Sequence, residues 1–170
     1  MNKKYRQYLG LLSAVITYYI IHEGAHFIYA LCTGTFKQIN VIGMGVQIDI
    51  YRELMNDRQL GIFCIVGSIA TLLAAYIFVF LTDKICESDS KVFKACMYYI
   101  TIALLLIDPI YLSILSKFVG GGDMNGIIYL MPELFAHILY GILFVINGIV
   151  FFKVVLPKYT FSFKQEWDKT

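Results

Sequence analysis

The chain has 170 residues, of which 59% are hydrophobic and only 15% charged, and its mean hydropathy is +0.70. That balance excludes an ordinary soluble domain and predicts a polytopic membrane protein. The formal net charge of +2, with no basic run beyond the terminal lysines, argues against nucleic acid as a partner.

The N-terminal stretch Met1 to Tyr8 carries Lys3, Lys4 and Arg6, and an apolar run follows from Leu9 to about Leu31. A basic start and a hydrophobic core are also marks of a signal peptide. This run is too long for one, and cleavage after it would discard a His pair. Nor does bulky Leu31 before Cys32 suit a lipoprotein site. The expectation is a retained transmembrane helix.

Within that helix lies His22-Glu23-Gly24-Ala25-His26. Residues four apart share a helix face, so His22 and His26 can offer two imidazole nitrogens to one metal ion. Glu23 follows His22 by about 100° of helical rotation, which puts its carboxylate beside such an ion, where a general base is useful. The chain has only three histidines and two stand here, while a Glu in an apolar span is costly enough to imply a function.

From Thr33 to Gln59 the composition is mixed, and Val46, Ile48 and Ile50 alternate with Gln47 and Asp49. A short β-hairpin turning at Gly43 to Gly45 is expected. Its edge would suit the addition of an extended substrate strand. Leu60 to Leu81 is the second span, with Gly67, Ala70, Thr71, Ala74 and Ala75 as small residues that let helices approach closely. A charged loop, Thr82 to Lys94, leads to the third span, about Ala95 to Phe118, which is interrupted by Asp108-Pro109. The glycine cluster from Gly120 to Gly126 contains Asp123 and Asn125. A short apolar piece, Ile127 to Met131, ends at Pro132, and Leu134 to Val155 is a fourth span with Asn147 inside it. The tail from Pro157 has Tyr159, Phe161, Phe163 and Trp167 among lysines and suits the membrane interface. The fold class expected is an all-α polytopic membrane protein of about four transmembrane helices with a β-hairpin after the first. It forms a single membrane domain over 1–170: a core over 9–130, an added span over 134–155 and an interfacial tail over 157–170.

A catalytic zinc takes three protein ligands and keeps an open position. Asp108, Asp123, Glu133 and His137 are the candidates for the third. Glycines before Asp123 permit irregular backbone, which at membrane depth is tolerated where it lines a cavity, and they favour Asp123. Cys32, Cys64, Cys86 and Cys96 show no close pairing, and buried thiols rather than disulfides are expected.

In these features the chain resembles the site-2 protease family of intramembrane zinc metalloproteases. The resemblance rests on HEGAH late in a first span, the glycine-containing region Val41 to Ile50, two further spans, and an Asp about a hundred residues downstream among glycines. It covers approximately Leu9 to Leu130. It implies that His22, His26 and Asp123 bind Zn2+, that Glu23 activates water, and that Asn125 takes a substrate-orienting role. The sequence departs from the family pattern in having Gly122-Asp123-Met124 for Leu-Asp-Gly, in lacking the upstream Asn and paired prolines, and in having no PDZ-like insertion.

The function expected is a zinc metalloprotease hydrolysing a peptide bond of a membrane-spanning or membrane-bound substrate, with the lipid bilayer and a regulatory membrane partner as its other contacts. The alternatives are a non-proteolytic metal-binding or transport protein, and a membrane zincin of different fold using Glu133. With four spans, ten basic residues share the side of the N-terminus and four lie opposite. That bias favours a cytoplasmic N-terminus, whereas the resemblance implies a site opening toward the cytoplasm.

Overall fold

A computed structural model describes residues 2–42, 45–119 and 122–165. The hairpin-turn residues Gly43 and Met44, Gly120 and Gly121 of the glycine cluster, and Trp167 of the tail lie outside the described residues. Helix α1 runs over Lys3–Cys32 and is capped by the Asn2 side chain, which accepts from the Lys4 amide. It leaves its helical path at Gly34, whose φ of +68° is open to glycine at little cost. Strands β1 (Phe36–Ile42) and β2 (Gly45–Ile50) form an antiparallel pair with Ile39 opposite Ile48 and an irregularity between Phe36 and Gln38. The alternation in β2 has a structural counterpart only at its centre, since Val46 is exposed and Asp49 and Ile50 are alike half-buried. Ile48 is buried against the protein interior, while Gln47 is exposed.

Asn56 and Gln59 form a reciprocal capping box at the start of α2 (Asp57–Phe80). A short α3 (Thr82–Cys86) precedes α4 (Lys91–Ile110), which continues through a π-helical turn at Tyr111–Leu115 into α5 (Ser116–Val119). Helix α6 (Gly122–Ile127) carries Asp123. Then α7 (Glu133–Val150) passes through a second π-helical turn, Phe151–Val155, into α8 (Leu156–Gln165). The segment after Pro157 is thus helical over its described part, and Tyr159 is only 1% exposed. Tyr159 and Phe163, four apart on one helix face, pack into the core at this end of the molecule.

The two irregular helices are stitched together by polar side chains. Pro109 has no N–H for the Leu105 carbonyl, and Asn147 Nδ2 donates to that carbonyl at 2.7 Å while its Oδ1 accepts from Tyr76. In the π-helical turn the Ser116 amide bonds to the Tyr111 carbonyl, five residues back. The Leu112 carbonyl instead meets His137 Nδ1 at 2.7 Å. Buried backbone groups with no water at hand need such partners.

Four helices are long and apolar enough to cross a membrane: Lys3–Cys32, Asp57–Phe80, Lys91–Val119 and Glu133–Lys164. Large apolar side chains such as Ile20, Ile28, Leu73, Phe80 and Ile142 are exposed along them, a surface that lipid would cover. All four cysteines are free, with Cys64 buried and Cys32 exposed.

Candidate metal centre

Helix α1 presents Tyr18, His22 and His26 at four-residue spacing toward α2 and α4, because the helical repeat stacks them on one face. His22 and His26 are 6% and 3% exposed. Each imidazole is oriented through its Nδ1. His26 Nδ1 lies 2.7 Å from the Phe63 carbonyl, which only accepts, so Nδ1 carries the hydrogen. His22 Nδ1 lies 3.3 Å from the Asp108 carboxylate and donates to it. The Nε2 atoms are thereby left as lone-pair donors to a cation, the tautomer that metal-binding histidines use.

Asp123 completes the arrangement. His22 Nε2 and His26 Nε2 are 3.2 Å apart, and the Asp123 carboxylate approaches them at 3.1 and 3.6 Å. Tetrahedral bonds of roughly 2.0 to 2.1 Å to nitrogen and oxygen give a ligand-to-ligand edge of about 3.3 Å. The three separations bracket it. Three acceptors facing one another at that distance repel unless a proton or a metal ion lies among them. His22, His26 and Asp123 form a group that can hold a metal ion.

Around this group the structure divides the other sequence candidates. Asp108 is 1% exposed and accepts from Tyr18 Oη at 2.5 Å and from Thr71 Oγ1 as well as from His22. It thus holds an imidazole in place and stands outside the three-residue group. Glu133 is exposed and its oxygen lies 3.3 Å from His137 Nε2. That pair spans one turn of α7 and does not join the His22, His26 and Asp123 group. Asn125 is exposed on α6 and lines neither cavity beside the group.

Glu23 Oε2 accepts from the Ile48 amide at 3.2 Å, so β2 fixes the carboxylate that the helix projects. A cavity of about 390 Å³ lies between this strand and α2, lined by Glu23, His26, Ile48, Phe63, Cys64 and Asp123. A second, of about 490 Å³, lies between α1 and α4 and is lined by Tyr18, His22, Glu23, Tyr111 and Asp123. Glu23 and Asp123 border both.

Sequence reasoning did not find Tyr18, Thr71 or the special place of Gly67. A Cβ on Gly67 would lie 2.5 Å from His26 Nε2 and 2.8 Å from His22 Nε2. Only hydrogen fits between α2 and the two rings. A signal existed for each: Tyr18 is one turn before His22, and Thr71 one turn after Gly67, on the faces already singled out. Compared with models of protein families, with curated proteins and with solved structures, the chain matches none of them.

Proposed function

We propose that the protein is a zinc-dependent endopeptidase that hydrolyses a peptide bond of a membrane-spanning or membrane-bound polypeptide. The observation that carries this reading is the convergence of three acceptors, His22 Nε2, His26 Nε2 and Asp123, beside a carboxylate that is not one of them. Two His and one carboxylate leave room for water in a tetrahedral zinc site, as catalytic zinc requires. The resemblance to site-2 proteases in HEGAH and in the order of spans supports the same reading.

When bound there, zinc supplies Lewis acidity, polarising a peptide carbonyl and lowering the pKa of water to about 7. Glu23, held by the Ile48 amide, takes a proton from the attacking water. The water oxygen joins the carbonyl carbon, the carbon–nitrogen bond breaks, and Glu23 returns the proton to the leaving amine. Asp108 accepts from His22 Nδ1 and so keeps His22 Nε2 turned toward His26 and Asp123, the residues that would hold a metal ion. A helical substrate has its backbone bonded internally and must unwind before attack. The edge of β2 turned away from β1 borders the 390 Å³ cavity and supports a role in holding the unwound strand.

The test compares membrane proteomes of cells making the wild type or Glu23→Gln, together with the zinc content of each purified protein. An uncut membrane substrate should accumulate with Glu23→Gln, at about one zinc per chain in both. Loss of zinc from Glu23→Gln, as complete as from His22→Ala, would make Glu23 a ligand and overturn its role as base. Equal proteomes with zinc retained would leave metal binding without proteolysis.

A further inference from the structure

A further cavity lies away from the metal group, at the opposite end of the bundle. It measures about 520 Å³ and is lined by Lys3 and Arg6 of α1, Ala95, Tyr98 and Tyr99 of α4, and Thr160, Phe163 and Lys164 of α8, with Gln7 at its side. Among the described residues, Lys3, Arg6 and Lys164 are its only charged lining. None of the three side chains makes an ion pair among the described residues. The neighbouring Lys94 is committed elsewhere, 3.0 Å from Ser162 Oγ and over the Phe163 ring.

The topology fixes the depth of this cavity. Helix α1 begins at Lys3 and α4 at Lys91, while α8 ends at Gln165, so with four spans all three ends meet at one membrane face. Tyr98 and Tyr99 lie about 10 to 12 Å below the start of α4 at 1.5 Å per residue. The cations therefore sit above an aromatic and apolar wall. We propose that this cavity binds the headgroup and upper acyl region of an anionic phospholipid from the leaflet on the N-terminal side. Lys3, Arg6 and Lys164 would meet the phosphate, and Tyr98, Tyr99 and Phe163 the glycerol backbone and first methylenes. Basic pockets between spanning helices bind anionic headgroups by the same combination. A free phosphate matches the cations but leaves the apolar wall uncovered, which favours the lipid. The proposal does not depend on the metal reading.

The experiment reconstitutes the full chain in mixed phosphatidylglycerol and phosphatidylcholine, extracts it in mild detergent and weighs the retained lipid by native mass spectrometry. The wild type is expected to keep phosphatidylglycerol in preference to phosphatidylcholine. Each cation contributes about fivefold, so Lys3→Gln/Arg6→Gln/Lys164→Gln is expected to lower retention on the order of a hundredfold. Thr160→Trp, which narrows the cavity without changing its charge, is expected to lower it too. Lys4→Gln/Lys153→Gln removes two cations outside the cavity and should leave retention unchanged. An equal loss in that control would reduce the effect to general surface charge and overturn the site. Displacement by millimolar inorganic phosphate as effective as by phosphatidylglycerol would make it a phosphate site and overturn the lipid assignment. Retention only after truncation at Gln165 would make the acidic residues Glu166 and Asp168 its occupants, with the same consequence.

Discussion

Asp108 and Asp123 both touch His22, at its two ring nitrogens, and the difference in atom predicts a difference in consequence. Asp123→Ala removes one of three groups around the proposed ion, whereas Asp108→Asn leaves the three in place and weakens the orientation of His22. Loss of such an outer partner typically costs about 10- to 100-fold in metal affinity. Titration with a graded chelator series should therefore release zinc first from Asp123→Ala, then from Asp108→Asn, with Glu133→Ala at the wild-type point. Release from Glu133→Ala before Asp123→Ala would replace the proposed ligand set. Gly67→Ala tests how closely α2 approaches the same two rings. Its methyl group would meet His26 Nε2 at 2.5 Å and His22 Nε2 at 2.8 Å, so the rings must turn away from the shared point. Zinc affinity should fall by at least about tenfold, while helical content measured by circular dichroism stays at the wild-type value. Wild-type affinity would show that α2 can recede. The His pair was legible because it is a local pattern with a helical period. The task of Asp108 was not, since its partners Tyr18, Thr71 and His22 are 90, 37 and 86 positions away along the chain.

The elements matter to the site through irregularities that satisfy the backbone. The β-hairpin was readable from its alternation, yet nothing in that pattern says that β2 folds back along α1 to the level of Glu23. Glu23 lies nine residues before the end of α1, about 13 Å from it. The hairpin therefore reaches well inside the helical layer to donate the Ile48 amide. Ile48→Pro removes this donor, and proline is tolerated where an edge N–H faces away from the partner strand. Cleavage of a membrane substrate should fall by roughly 10- to 100-fold, the scale of a misplaced catalytic group. Zinc content should stay unchanged. Unaltered turnover in a variant that still folds would mean that Glu23 needs no anchor from β2. Pro109 was likewise readable as an interruption of the third span, and a proline there leaves the Leu105 carbonyl without its helical donor. That Asn147 answers it, 42 positions from Leu105, is a tertiary fact. The same holds for His137, a candidate third ligand in the sequence, whose Nδ1 in fact donates to the π-helical turn.

The proposed metal group lies nearer the hairpin end of the bundle and the basic cavity at the other end, so membrane orientation decides what each can meet. Ten basic residues on the N-terminal side against four opposite predict that the N-terminus, the loop before α4 and α8 face the cytoplasm. The metal group and hairpin would then open outward, and the cavity would face the cytoplasmic leaflet, where anionic lipid headgroups supply the negative surface potential. The resemblance to site-2 proteases implies the reverse, with the site opening inward. Two native cysteines separate these orientations. Cys32 closes α1 at the hairpin end and is exposed, while Cys86 closes α3 at the opposite end and is half-buried. In intact cells a membrane-impermeant thiol reagent should label the Cys86→Ser protein, through Cys32, and should label Cys32→Ser only after permeabilisation. A Cys64→Ser/Cys96→Ser background keeps the two remaining thiols from contributing. Labelling of Cys86 alone in intact cells would put the hairpin in the cytoplasm. The charge bias would then be overridden by the placement of the proposed metal group, and the lipid proposed for the basic cavity would have to come from the outer leaflet.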